Sequence, residues 1–419
     1  MSVKIFKPIN KQPLFCGLTH IGQVFSIGWS EKIGKCSVFD FNNKSLKKFQ
    51  NYKVTNEEPS LLKYLKKNIK KIKFCNSSEE IKEYENVFLT IDTPLKSNGN
   101  PKVKKILNSI KKIKKYLGYK SNLIIISQVY CGFCENLKKK IFKDRKDINI
   151  IYFTDTLVMG NALDRFINPE RIILGYDKKV EFLNKFKKFN CKIYNFSTKQ
   201  AEMVKIAINL FLFNSVSFAN MMDYYCRQFG FRFSDINNSI KDDKRIGKKS
   251  YISPSLGVSG GHLERDVFTI KKYIKNKNIK KIFSSLKNIN QNRISLLINK
   301  FKQLYNLKKY KKVVWIGPSY KTKSFSTINS PYTKFDRFVK KFNNKIKLYV
   351  FDSFFDLKNE KISNYLTSIK HSNFKNSFVI FNYANLRDTK ILEKFAKNKK
   401  CDVLNINFEK KNYKNFINY

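Results

Sequence analysis

No apolar run in this 419-residue chain approaches the roughly 20 residues of a membrane span. The start, MSVKIFKPINKQPLF, lacks the apolar core of a signal peptide. Both absences point to a soluble protein. Cysteine is present without a pattern: 8 residues at irregular spacing make no disulfide framework, which fits a reducing cytoplasm. Acidic residues are scarce, 32 against 84 Lys and Arg, for a formal net charge of +52. Such an excess ordinarily marks a polyanionic partner, nucleic acid or an anionic membrane face. Here the cations are mostly Lys, scattered along the whole chain beside abundant Asn, Ile and Phe, as an AT-rich coding sequence produces with no binding role. The shortage of Arg argues against a surface that reads bases, where bidentate Arg dominates. The charge therefore supports phosphate-bearing ligands in general, with no specific nucleic acid and no membrane among the expected partners.

Internal repeats and low-complexity linkers are lacking too, so the organisation is read from hydrophobic rhythm. With 42% hydrophobic and 15% aromatic residues the chain can build sizeable cores. Its length exceeds what one core organises, which predicts two or three domains. Short apolar runs, LFCGL, CSVFDF, NVFLTI, NLIIIS and INIIYF, alternate with helical segments such as Phe25 to Ile33 and Val103 to Leu117. That alternation predicts βα units feeding a parallel sheet. From about Thr198 the pattern becomes one long helical period, AEMVKIAINLFLFNSVSFANMMDYYCRQFG, apolar on most faces and ended by Gly230. It predicts a helix buried nearly all round, between domains or at a subunit contact. Helices continue to about Tyr310, and KKVVWIG, IKLYVFD, SFVIFNY and CDVLNI then restore the strand rhythm. The fold class expected is α/β, two Rossmann-like doubly wound domains joined by a central helical domain, with borders at 1–197, 198–310 and 311–419.

Residues Gly17 to Gly22, GLTHIG, follow a strand and open a helix, and Asp40 ends the next strand 23 residues on. This is the spacing of a dinucleotide fingerprint: the turn brings pyrophosphate to a helix N-terminus and the acid holds a ribose hydroxyl. Asp40 favours NAD over NADP, because a carboxylate repels a 2′-phosphate. The middle glycine of the fingerprint is Thr19 here, and a side chain at that point obstructs the approach of backbone to pyrophosphate. Taken alone, the segment also fits a strand-to-helix turn with no ligand. Lys205 and Asn209 lie four apart, hence on one face of the long helix. A lysine in such an apolar helix meets an anion, carries out chemistry, or snorkels to solvent. Cys131 and Cys134 form a single CxxC, open to packing at a helix N-terminus or to a redox or nucleophilic role; with no second pair at metal spacing, zinc is not indicated.

In order and spacing these segments resemble the UDP-glucose/GDP-mannose dehydrogenase family, from about Leu14 to Ser353. Glu58, Pro59 and Leu61 resemble its EPGL turn. Thr93 and Pro94 in IDTPLKSNGN resemble its TP…DG segment, with Asn98 in place of Asp. NPERIILG, Asn168 to Gly175, resembles PxRIxxG; WIGPSYK resembles GLxYK; Ser330 and Pro331 fall on an SP pair. The resemblance implies NAD as cofactor, held by Gly17, Thr19, Ile21, Gly22, Asp40 and Thr93, and a UDP- or GDP-linked sugar as substrate in the cleft between the two Rossmann-like domains. It assigns substrate binding to Asp155, Arg245, Gly260, Gly261, His262 and Lys321, and catalysis to Lys205, Asn209 and Asp266. Arg245, in RIG, matches an arginine that reaches a neighbouring subunit's substrate. A homodimer through the central helices, and a place in polysaccharide biosynthesis, are implied as well.

The departures from the family pattern form a set. In KDDKRIGKKSYISPSLGVSGGHLERD, Lys241 to Asp266, the cysteine that follows the glycine pair by two positions is Leu263. Asp266 comes one residue early, so a deletion is an equal alignment; the thiol is lost in both. FTDTLVMG replaces NPEFLREG, so that Asp155 stands for one glutamate and Met159 for the other. Gln128 takes the place of a water-holding threonine, and Ile328 that of an arginine. The family oxidises an alcohol to an acid in two hydride transfers, and the second needs a thiohemiacetal, a thioester and hydrolysis. Two readings follow: an oxidoreductase limited to one two-electron step, or a protein that binds a nucleotide sugar without turnover. His262, which matches a GGHC variant of the family, serves proton transfer or hydrogen bonding in either.

Overall fold

The computed structural model describes residues 6–55, 58, 60–94, 101–259, 262–319, 325–327, 330–359, 362, 364–370, 374–398, 401–407 and 416–418. The chain divides into two compact units, Met1–Ile208 and Asn209–Tyr419. This border lies inside one continuous helix, Thr198–Gln228.

The first unit contains β1 (Asn10–Cys16), β2 (Cys36–Phe39), β3 (Ile72–Phe74), β4 (Tyr84–Leu89), β5 (Asn122–Ile125), β6 (Asn149–Phe153), β7 (Arg171–Gly175) and β8 (Lys192–Phe196). They form one sheet in the order β3-β2-β1-β4-β5-β6-β7-β8, parallel throughout except for the antiparallel β6–β7 pair. The helices are α1 (His20–Lys32), α2 (Asn43–Gln50), α3 (Leu61–Asn68), α4 (Val103–Lys114), α5 (Phe133–Lys140) and α6 (Ala162–Ile167). The strands read as unbroken apolar runs because both faces are covered. Phe15, Phe88 and Ile124 enter a core with Trp29 and Phe182, whose rings stack at 5.5 Å. Their neighbours Leu14, Cys16, Leu89 and Ile125 enter a separate core with Ile106 and Ile110. The short β3 and the half-exposed β8 carry little apolar rhythm, and neither is visible as a run in the sequence.

The second unit contains α8 (Phe233–Asp242), α9 (His262–Tyr273), α10 (Lys277–Lys308), α11 (Pro331–Phe342) and α12 (Leu386–Lys397) after the long α7 (Thr198–Gln228). Its strands, β9 (Lys312–Ile316), β10 (Lys347–Phe351), β11 (Ser377–Phe381), β12 (Cys401–Asn405) and β13 (Ile417–Asn418), form a parallel sheet in the order β10-β9-β11-β12-β13. The two sheets repeat one local device. Gly17 leaves β1 with φ +108° and donates to Phe39 O at 2.8 Å, and Gly317 leaves β9 with φ +70° and donates to Phe351 O at 2.9 Å. Each glycine stands at the point where strand order reverses, the usual place for a nucleotide in an open α/β sheet.

Helix α7, expected to be buried nearly all round between domains or at a subunit contact, is partly exposed within the single chain. Its buried positions, Glu202, Ile206, Asn209, Phe213, Val216, Asn220, Asp223 and Cys226, fall on one stripe, whereas Met203, Phe211, Phe218, Met221, Tyr224 and Tyr225 are exposed. A count of apolar residues does not distinguish a face covered within the chain from one left bare. By length and composition the helix is also apolar enough to cross a membrane. A search for unbroken runs passes over it because Asn209, Asn214, Ser215 and Ser217 interrupt the sequence.

Candidate functional site

The dinucleotide turn is built so that backbone, not side chain, faces outward. A Cβ on Gly17 would lie 2.5 Å from Ile91 Cγ1, and one on Gly22 only 1.8 Å from Gly17 O, so neither position admits a side chain. The Thr90 hydroxyl donates to Gly17 O at 2.8 Å and fixes the turn against β4. Thr19, the expected obstruction, commits its own hydroxyl to the sheet: it donates to Thr90 O and accepts from Asp92 N, both at 3.0 Å. It makes no side-chain cap on α1, and the first turn of α1 holds no acid. The first N–H groups of a 13-residue helix are thus free of a side-chain cap, the arrangement that suits a phosphate. Asp40 follows β2, where it accepts from Leu18 N and Asn42 N, each at 2.7 Å. Each carboxylate oxygen keeps a further lone pair for a ribose hydroxyl. Ile21 is buried in the core, so it can offer a cofactor only its backbone. Thr93 is buried and donates to Gln128 O at 2.7 Å. The residues present fit the pyrophosphate and ribose of NAD.

At the end of β6, Asp155 accepts from Leu157 N at 2.8 Å and lies 3.8 Å from Lys205 Nζ. Both side chains are largely buried, so the lysine meets an anion and does not snorkel. The Thr154 hydroxyl donates to Ala201 O at 2.8 Å, pinning this loop to the first turns of α7. Glu58 holds the far end of the same loop, accepting from Gly160 N at 2.6 Å and Ala162 N at 2.9 Å.

Glu202 was not singled out by sequence reasoning. Fully buried on α7, it accepts from Gly132 N and, at 2.8 Å, from Cys134 N. It thereby caps α5, and burial pushes its carboxyl above the usual range. The only signal for it was an acid three residues before Lys205 on an apolar helix. The CxxC it holds is poorly suited to nucleophilic work. Burial raises both thiols, with the Glu202 charge adding to the effect, and Cys134 is wholly enclosed.

In the second unit Asn209 Nδ2 donates to Asp266 Oδ2 at 2.6 Å, both residues buried, with Arg265 Nε 3.7 Å from the other carboxylate oxygen. Leu263, on the first turn of α9, packs against Phe213, Val216, Val258, Val267 and Leu286. Leu263 is thus a half-buried packing residue. His262 opens α9 and is exposed. Arg245 is exposed and pairs with Asp243 through two contacts, at 2.6 and 3.0 Å.

Four polar residues that sequence reasoning missed hold the loop 251–259. Asn220 Oδ1 accepts from Ser255 N at 2.8 Å, and Arg293 donates to Ser255 O and to Asp223, both at 2.9 Å. Asn290 accepts from Val258 N and donates to Glu264 at 2.9 Å. For two of them the signal was periodicity: Asn220 and Asp223 share the buried stripe of α7 with Asn209. Ser330 caps α11 by accepting from Thr333 N, and Pro331 occupies its first turn. Gly260, Gly261, Lys321 and Ile328, with Pro59 and Asn98, lie outside the described residues.

Residues 14–195 match the profile of the UDP-glucose/GDP-mannose dehydrogenase family, NAD binding domain, and residues 199–292 that of the same family's central domain. A UDP-glucose 6-dehydrogenase of Rickettsia bellii is 26% identical over 329 residues, 76% of this chain and 75% of that protein. One from Campylobacter jejuni is 30% identical over 266 residues, 60% of this chain and 64% of that protein. Among solved structures, a UDP-glucose dehydrogenase from Pyrobaculum islandicum superposes with a TM-score of 0.81 at 18% identity, covering 96% of this chain and 95% of that one. A UDP-N-acetyl-mannosamine dehydrogenase from Staphylococcus aureus gives 0.78 at 16% identity, covering 98% of each. These superpositions match the fold expected from the sequence.

Proposed function

The chain belongs to the UDP-glucose/GDP-mannose dehydrogenase family and carries its NAD-binding domain, and we propose that it oxidises an alcohol of a UDP- or GDP-linked sugar in a single two-electron step. One observation carries this reading. Within the first unit Lys205 lies 3.8 Å from Asp155, and within the second Asn209 is bonded to Asp266, while Leu263 packs half-buried against an apolar cluster.

NAD, when bound, supplies the hydride acceptor. Lys205 serves as general acid/base toward the substrate hydroxyl or stabilises its developing oxyanion, and Asp155 balances the ammonium charge. Asp266 fixes the amide of Asn209 through one N–H, leaving the other as a donor for the substrate. The sugar alcohol loses a hydride and a proton and becomes an aldehyde or ketone. With no thiol to form a thiohemiacetal, a second transfer has no covalent carrier. The Gly317 turn, equivalent in its bonding to the Gly17 turn, supports nucleotide binding by the second unit.

The exposed aromatic face of α7 supports a homodimer through the central helices: a bare patch of Phe211, Phe218, Met221, Tyr224 and Tyr225 is large for a monomer. The opposite stripe, with Glu202, Asn209, Asn220 and Asp223 buried and hydrogen-bonded, supports a helix within a protein, not one across a lipid bilayer. Sedimentation of wild type and of Phe218→Asp should give a dimer and a monomer respectively.

The test of the reaction is NADH formed per sugar nucleotide over a panel of UDP- and GDP-sugars, with the carbonyl product trapped. One equivalent and a trapped carbonyl are expected. Two equivalents with an acid product overturn the single-step reading. Sugar binding by calorimetry with no NADH formed overturns the oxidoreductase in favour of a protein that binds nucleotide sugar without turnover.

A further inference from the structure

Glu58 is the one carboxylate that joins the dinucleotide turn to the segment bearing Asp155 among the described contacts of the first unit. It lies between α2 and α3 with no exposed side-chain surface. Its Oε1 receives Gly160 N at 2.6 Å and faces His20 Nε2 at 3.1 Å, and its Oε2 receives Ala162 N at 2.9 Å. His20 is the first residue of α1, beside Thr19 in the turn. Gly160 closes the loop that begins at Asp155, and that loop is stiffened by the Asp155–Leu157 bond and pinned at Thr154.

A buried carboxylate needs compensating donors, and hydrogen bonds to an ionised acceptor are the strong ones. One oxygen shared by two segments makes their positions interdependent: a shift of His20 toward an arriving ligand changes what Oε1 offers to Gly160, and the reverse. A cap serving α6 alone needs only the Gly160 and Ala162 bonds. The contact to His20 adds a link between the cofactor turn and the loop that places Asp155 against Lys205.

We infer that Glu58 is a positioning residue that couples NAD binding at the GLTHIG turn to sugar-nucleotide binding at the Asp155 loop. The inference rests on reading that turn as the cofactor site and Asp155 as a substrate-binding residue. Each ligand therefore strengthens the other, by the same factor in either order.

The test is calorimetry on the full chain, with NADH and with the tightest binder of a UDP- and GDP-sugar panel, each titrated alone and with the other saturating. Wild type should show mutual strengthening of about five- to tenfold. In Glu58→Gln, where one oxygen becomes a donor, the factor should fall to within about twofold of unity while both ligands still bind. His20→Gln, which leaves the two α6 bonds in place, should lose the factor likewise and keep the sugar-nucleotide affinity measured without NADH. It decides the matter if Glu58→Gln fails to fold. A purely structural cap predicts an unchanged factor in His20→Gln, and that result, or a wild-type factor of one, overturns the coupling. Absence of NADH binding to wild type overturns both the coupling and the cofactor reading, and is told apart by the missing heat of the first titration.

Discussion

Restoring the missing thiol, Leu263→Cys, puts the central argument at risk. If Leu263 were a simple swap in an otherwise complete catalytic loop, a cysteine there would recover acid formation. The structure instead has Leu263 packed, half-buried, against Phe213, Val216, Val258, Val267 and Leu286. The substitution removes about two methylene equivalents, each worth about 0.8 kcal/mol when fully buried. Half-burial lowers that, and the space left behind raises it. The net cost is about 1–2 kcal/mol. For a unit of this size that corresponds to a fall in Tm of roughly 2–8 °C. The new thiol would sit on the first turn of α9, where the helix end favours the thiolate, yet in an apolar cluster that disfavours charge and restricts access. Three measurements check this: urea unfolding, the rate of thiol labelling in native protein relative to unfolded protein, and NADH formed per sugar. The expected results are a lowered midpoint, labelling slowed by at least about tenfold, and a stoichiometry of one. Unchanged stability, fast labelling and two NADH per sugar would refute the reasoning, because they would mean that position 263 faces the reaction and not the core.

Other perturbations follow from the same geometry. Lys205→Ala should lower kcat by at least about 100-fold with little change in the far-UV spectrum, since it removes a proton-transfer or oxyanion group from a folded helix; a loss confined to KM would make Lys205 a binding residue only. Glu202→Gln keeps the size of the side chain and removes its titration, and is read by denaturant unfolding across pH. The Glu202 carboxyl is raised by burial above its ordinary value of 4.5, so the folded state holds its proton more tightly than the unfolded chain does. Its contribution is therefore complete below about pH 4.5 and lost as pH rises through the folded value. Stability of the Gln variant should lack that decline, and an identical pH profile would remove Glu202 as its source. Cys131→Ser should leave turnover within about twofold, because a thiol raised by burial is a poor nucleophile; abolished turnover would reopen the CxxC as chemistry.

What was legible in the sequence was what depends on local pattern. Apolar runs that alternate with amphipathic segments gave β1, β2, β4, β5 and β6, and after Tyr310 the strands β9 to β12, because a parallel sheet covered on both faces leaves a continuous signal. The three-residue β3 and the half-exposed β8 left none. The fingerprint was legible because its two glycines cannot carry a Cβ, a constraint written directly into residue type.

The sequence by itself determined the fold class, the family and its NAD-binding domain, since these rest on residue identity at fixed spacing. Tertiary structure alone decided which way side chains point and what they touch. The Thr19 side chain is turned into the sheet, Leu263 packs half-buried against an apolar cluster, and one face of α7 is bare within the chain. Glu58, Glu202, Asn290 and Arg293 are tied to loops far from them in the chain. The physical reason is common to all of them. Direction of a side chain and choice of hydrogen-bond partner depend on which distant segment lies opposite, and no spacing along the chain encodes that.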